Sequence, residues 1–244
     1  MKITVLRSVY KFNLVSGLLF LLVLTFLVLL GFWQLGRADE KRSFLGQQKL
    51  SSNKEEVELL SLLPNSLESL RYRKVKIAGY YDQDHQFLID NQIVNGRAGY
   101  FVMTPLVLAG MNKAVLVNRG WVPLNKDRNI LPDITIESEA KMTLTGRINN
   151  FPVVGMKLAG AEIPTESWPS VVQLVDINIL STKIGIPLFP FQVELNPALS
   201  EGFLRDWKTN SIISPEKHVA YAVQWFGLAM TLTILFIRLS RKSK

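Results

Sequence analysis

LLFLLVLTFLVLLGFW, Leu18–Trp33, carries no charge and a single polar side chain, Thr25, which can bond back to its own helix. It sits inside 25 uncharged residues, Phe12–Gly36. A helix that crosses a bilayer needs about 20 mostly apolar residues. The stretch therefore predicts a transmembrane helix over Asn13–Leu35, residues 13–36 with its polar edge. A secretory signal would have an apolar region of about 7–15 residues and a small-residue cleavage site. Here the run is longer and closes with GFWQLGR, so an uncleaved anchor is expected. Val219–Ile237 gives 19 further residues without a charge. Entered at His218, it predicts a second span over residues 218–237. The competing reading of this shorter run is a buried core helix.

Charge sets the expected orientation. Lys2, Arg7 and Lys11 precede the first span, and Arg238, Arg241, Lys242 and Lys244 follow the second, with no acid among either group. Basic residues beside a span stay cytoplasmic. Residues 1–12 and 238–244 are thus expected in the cytoplasm, with residues 37–217 on the far side. Those two tails hold seven of the 28 Lys and Arg, and all 20 Asp and Glu lie from Asp39 to Glu216. The middle is close to neutral, so the formal net charge of +8 reflects topology. No basic patch argues for a nucleic-acid partner. The absence of cysteine excludes thiolate metal sites, covalent c-type haem attachment and cysteine nucleophiles.

Between the spans, Arg37–Leu63 is rich in helix formers. The first helix is expected to continue outward and break near Ser51-Ser52-Asn53. A short helix capped by Ser52 or Asn53 should then run to Pro64, with Glu55, Glu56 and Glu58 in its first turn. Strand signals follow at Arg71–Tyr81, His85–Asp90, Gly99–Leu108, Ala114–Asn118, Met142–Ile148, Val171–Val175 and Phe189–Leu195. Asn95-Gly96 marks a hairpin turn. Pro105 suggests a bulge or an edge. Asp176 caps a helix that ends at Gly185. Phe151–Pro169, rich in Pro and Gly, reads as a loop. The expected fold is a membrane α+β protein: two transmembrane helices flank an exported, mainly antiparallel β domain or partly closed barrel with short helices.

No familiar catalytic motif is present, and with only His85 and His218 a histidine triad or a multi-histidine metal site is hard to build. Tyr81–His85, YDQDH, reads as a polar turn, with a metal loop as the alternative. In Asn118–Pro123, NRGWVP, Gly120 is expected to give a tight bend and Pro123 to stiffen the exit. Arg119 either clamps a carboxylate bidentately or makes a structural ion pair. The two membrane boundaries are richer. The first span ends in Trp33, Gln34 and Arg37, and the second opens HVAYAVQWF, His218–Phe226. Helical spacing puts His218, Tyr221 and Trp225 on one face. Ala222 and Ala229 permit close helix approach, and Gln224 needs a polar partner. An aromatic belt with a capping histidine explains part of this. Intramembrane polar groups are also candidate sites, and a histidine here suits haem iron.

The order of GFWQLGR, RYRKVKIAGYYDQDHQFLIDNQIVNGRAGYFVMTPL, VLVNRGWVP, LFPFQVEL and HVAYAVQWF resembles the Surfeit locus protein 1 family, whose members assist assembly of cytochrome c oxidase. The resemblance covers most of the chain. It implies two spans and an exported β-rich domain. It also implies transient haem a binding, with His218 as iron ligand and with cytochrome c oxidase subunit 1 and the haem a synthesis proteins as partners. Trp33, Arg37, Arg119, Tyr221, Gln224 and Trp225 accompany His218 as expected cofactor-binding residues. Trp33, Tyr221 and Trp225 would pack the porphyrin, and Arg37 or Arg119 would meet its propionates. The expected role is non-enzymatic. The rivals are a protein–protein scaffold that binds no haem and a haem-modifying membrane enzyme. A basic leader of 11 residues, in place of a mitochondrial presequence, points to a bacterial inner membrane.

Overall fold

A computed structural model describes residues 14–62, 67–136, 140–153, 159–207 and 214–240. The N-terminal basic tail, residues 241–244 of the C-terminal one, the start of the first span at Asn13, Pro64 and the middle of the Phe151–Pro169 loop lie outside the described residues. Contacts divide the chain into two units: residues 1–47 with 209–244, and residues 48–208.

The first unit holds two long apolar helices, α1 over Leu14–Asn53 and, at the other end of the chain, a helix over Pro215–Ser240. Each is long and apolar enough to cross a membrane, and only 6% and 11% of their most apolar windows is buried inside the protein. A core helix would bury far more. At 1.5 Å per residue α1 is about 60 Å long, so it continues well past the expected boundary at Leu35. It does end at Ser51–Asn53. Phe20 stacks on Phe236 with centroids 4.1 Å apart, and Phe32 meets Phe226 edge-on at 5.5 Å. Early residues of one helix thus face late residues of the other, which makes the pair antiparallel. Gly31 leaves room for the Phe226 ring, since a Cβ there would lie 2.5 Å from it. Ala222 and Ala229 are buried, as their size suggested.

The second unit is built from strands. After α1 come β1 (Val57–Glu58), α2 (Leu59–Leu62), α3 (Leu67–Leu70), β2 (Lys74–Tyr81), β3 (Phe87–Val94), β4 (Arg97–Leu108), β5 (Ala114–Pro123), β6 (Met142–Asn149), β7 (Ser170–Val172), α4 (Ile177–Ile184) and β8 (Leu188–Leu195); the Pro215–Ser240 helix is α5. The expected short helix before Pro64 exists, but its cap does not. Asn53 closes α1, and Glu58 lies in a short strand parallel to β2. The carboxylates Glu55 and Glu56 therefore have no first turn to complement.

The sheet runs β1-β2-β6-β8-β5-β4-β3-β7, and β2 also pairs with β4. That extra pairing, Gly79–Tyr81 against Leu106–Leu108, closes a ring of β2, β6, β8, β5 and β4. Its pairs are antiparallel except β5 with β8. This connectivity is that of an OB-type Greek-key barrel. Alternation sends Val75, Ile77, Val115, Val117, Phe191, Val193 and Leu195 into one core. The opposite face of β5, Ala114 and Leu116, packs under Leu180 and Ile184 of α4. That helix is capped by Asp176, whose carboxylate accepts from the Asn178 and Ile179 amides, and it ends at left-handed Gly185.

Two strand devices bear on the candidate site. Pro105 sits where β4 leaves β3 and takes up β2, and its carbonyl accepts from the Asp82 amide. Its missing N–H thus falls at a handover, where no ladder bond is lost. The bulge itself lies elsewhere. Met103 pairs with Asn118 and Val102 with Gly120, so Arg119 is the extra residue of β5. The sequence reading ended this strand at Asn118, but it runs on through the bulge to Pro123. Gly120 at φ +118° makes the bulge possible.

Candidate functional site

In the helical unit, His218 lies on the packed face of α5 with Ala222 and Ala229. It is 8% exposed, and its Nδ1 stands 2.7 Å from Gln34 Oε1 on α1. With the amide oxygen facing the ring, Nδ1–H is the donor, and in the neutral ring Nε2 is then the nitrogen with the lone pair. Gln34 was not among the expected site residues. The only sequence signal for it was an amide in an apolar segment, and a partner 184 positions away is beyond any local pattern. Tyr221 does not share the buried face. It is exposed, as are Trp33 and Gln224, while Trp225 is half-buried. The small residues at 222 and 229 decide which face packs, and bulky Tyr221 turns to the flank. Arg37 pairs with Glu40 one turn on.

In the barrel unit, the bulge turns Arg119 inward, where it is 4% exposed. Nη1 donates to Gln86 Oε1 at 3.1 Å and to the Ile134 carbonyl at 2.8 Å, and Nε donates to the Glu201 carbonyl at 3.3 Å. Phe203 lies under the guanidinium, 5.1 Å from centroid to Cζ. Both sequence expectations for Arg119 need correction. It makes no ion pair among the described residues, and a bidentate clamp is not open to it because Nε and both Nη1 hydrogens are engaged. Burial pulls its pKa below the usual arginine value, against the pull of Tyr81 and Glu201. The Tyr81 hydroxyl is buried without a hydrogen-bond partner, and burial pushes its pKa above the usual tyrosine range. Arg119 opens on a cleft of about 900 Å³ lined also by Asp133, Thr135, Ser200, Glu201, Gly202 and Phe203. The Tyr81–His85 segment is a polar turn, with His85 Nδ1 2.8 Å from an Asp82 oxygen and its ring edge-on to Trp168.

The model of the SURF1 family matches residues 21–230, the whole of the second unit and more than half of the first. This chain belongs to the SURF1 family. Among its relatives, the SURF1-like protein of Rickettsia felis is 26% identical over 239 residues, which cover 91% of this chain and 95% of that one. The SURF1-like protein of Rickettsia bellii is 29% identical over 221 residues, 88% and 87% of the two chains. The cytochrome oxidase assembly protein SHY1 of Saccharomyces cerevisiae is 29% identical over 123 residues, half of this chain and 30% of that one. The SURF1 match takes in both helices of the Gln34–His218 pair and the Arg119 bulge alike.

Proposed function

We propose that this chain is a non-enzymatic assembly factor for cytochrome c oxidase that carries haem a, as cargo, on His218. In this reading both apolar helices cross the inner membrane of a bacterium, both ends are cytoplasmic and the barrel is periplasmic. Membership of the SURF1 family and the name of the yeast relative support the oxidase part. The Gln34–His218 hydrogen bond is the observation that carries the haem part. A histidine that serves iron through Nε2 has its Nδ1–H held by an oxygen acceptor, which fixes the tautomer and the ring. Gln34 does that here, so the donor chemistry fits. Iron bound at Nε2 would gain one axial ligand from the protein. A single ligand suits a carrier that must release its load to the oxidase subunit, with the haem a synthesis proteins as its source. Trp33, Tyr221 and Trp225 offer aromatic surface beside that nitrogen's helix. Arg37 must exchange Glu40 to reach a propionate. Gln224 stays a lipid-side amide near the same boundary.

Co-expression with haem a synthesis enzymes tests this. The purified protein should show a reduced haem a band that is lost in His218→Ala and shifted or weakened in Gln34→Leu, which leaves the ring untethered. No band in wild type, with haem a present in the cells, overturns the carrier reading. It would favour a scaffold in which the buried His218–Gln34 pair only joins two helices.

A further inference from the structure

We infer that the cleft at the barrel mouth is a binding site for a carboxylate, with Arg119 Nη2 as its donor. This concerns the barrel unit by itself and does not rest on the haem reading. The chain buries a guanidinium and supplies it with uncharged acceptors only: one side-chain amide and two backbone carbonyls. A buried cation ordinarily has a counter-charge hydrogen-bonded to it, because desolvation penalises it otherwise; Glu201 acts on Arg119 through its charge, while its backbone carbonyl is the hydrogen-bond acceptor. Nη2 has no acceptor among the described residues. Nor is it sealed, since it is not among the described buried side-chain atoms that lack a partner. It therefore faces the cleft that Arg119 lines. The Tyr81 hydroxyl, by contrast, is buried without a partner.

The remaining charges narrow the ligand. Arg205, within electrostatic reach of both groups, donates to the carbonyls of Phe203 and Asn196. Against these cations stand the carboxylates of Asp133 and Glu201 in the cleft lining. These two acids already match the two arginines, so a single further negative charge beside Arg119 is tolerable and a double one is not. A flat monoanionic carboxylate fits, and a phosphate dianion does not. Two sources offer that chemistry: a small free carboxylic acid, and an Asp or Glu side chain of another polypeptide.

Isothermal titration of the full chain in detergent, at fixed ionic strength, separates them. The probes are butyrate, a peptide with blocked ends and one internal Glu, and inorganic phosphate. Saturable binding is expected from at least one carboxylate probe, with phosphate weaker. Binding of butyrate alone assigns a small acid, and binding of the peptide assigns a polypeptide. Ser200→Trp fills the cleft from an exposed lining position, leaves the three Arg119 bonds intact and should abolish binding. Arg119→Lys, which removes Nη2 together with the three bonds that place it, should weaken it roughly tenfold; should that variant misfold, Ser200→Trp decides alone. No saturable binding of either carboxylate, phosphate binding as tightly, or indifference to Ser200→Trp overturns the inference.

Discussion

Thr135 shows how much a single hydroxyl governs at the cleft rim. Its Oγ1 and amide both donate to Asp133 Oδ1, at 2.6 and 3.0 Å, and hold that carboxyl below its usual range. The folded value lies below the unfolded one, so these bonds favour the fold above the ordinary carboxylate range. Their contribution is lost as pH falls through the folded value. Thr135→Val should move the Asp133 titration up toward the ordinary aspartate value, as read by carboxyl NMR. An unmoved titration would mean that the bonds do not set it. At this scale the sequence was partly readable. His218 stood out as a lone histidine at a membrane boundary, and Arg119 as a cation ending an apolar strand. What surrounded each was hidden, because Gln34, Gln86 and Glu201 arrive from distant segments.

Elements were read well wherever alternation or capping marked them. β2, β4, β6 and β8 fall within a few residues of their expected bounds, and α4 keeps both its Asp176 cap and its Gly185 stop. β5 was cut short because a bulge looks like a turn in sequence: a glycine after a charge in an apolar run. Its backbone is the sensitive point. Gly120 holds φ +118°, and a Cβ there would lie 2.9 Å from the Leu204 carbonyl oxygen. Gly120→Ala should therefore cost about 2 kcal/mol, seen as a lower urea midpoint in Trp fluorescence of the detergent-solubilised chain. It should also disturb carboxylate binding, since the bulge aims Arg119. An unchanged midpoint would show that β5 relaxes around the methyl group.

At the scale of the molecule, the proposed topology has a direct check. Alkaline phosphatase fused after Trp207 should be active in a bacterial host, and a fluorescent protein fused after Lys244 should fold in the cytoplasm. The reverse pattern would invert the orientation drawn from the basic tails. Seven of the eight described strands were marked in the sequence, which left a sheet and a partly closed barrel both open; β1 was read as helix, and strand order was not legible. No periodicity says that β8 enters between β5 and β6, or that β2 reaches β4.

That insertion has a consequence for how the chain is made. β8 is the last strand to be synthesised, yet it is a middle stave of the ring. Until Leu188–Leu195 arrives, β5 and β6 each present a bare edge with unpaired amides and carbonyls, the sort of surface that recruits stray strands. Wherever the barrel is delivered end-first, it must wait open through most of its own translocation. A stop codon just before β8 would leave it nothing to close with, so late truncations should be degraded or aggregate as severely as early ones.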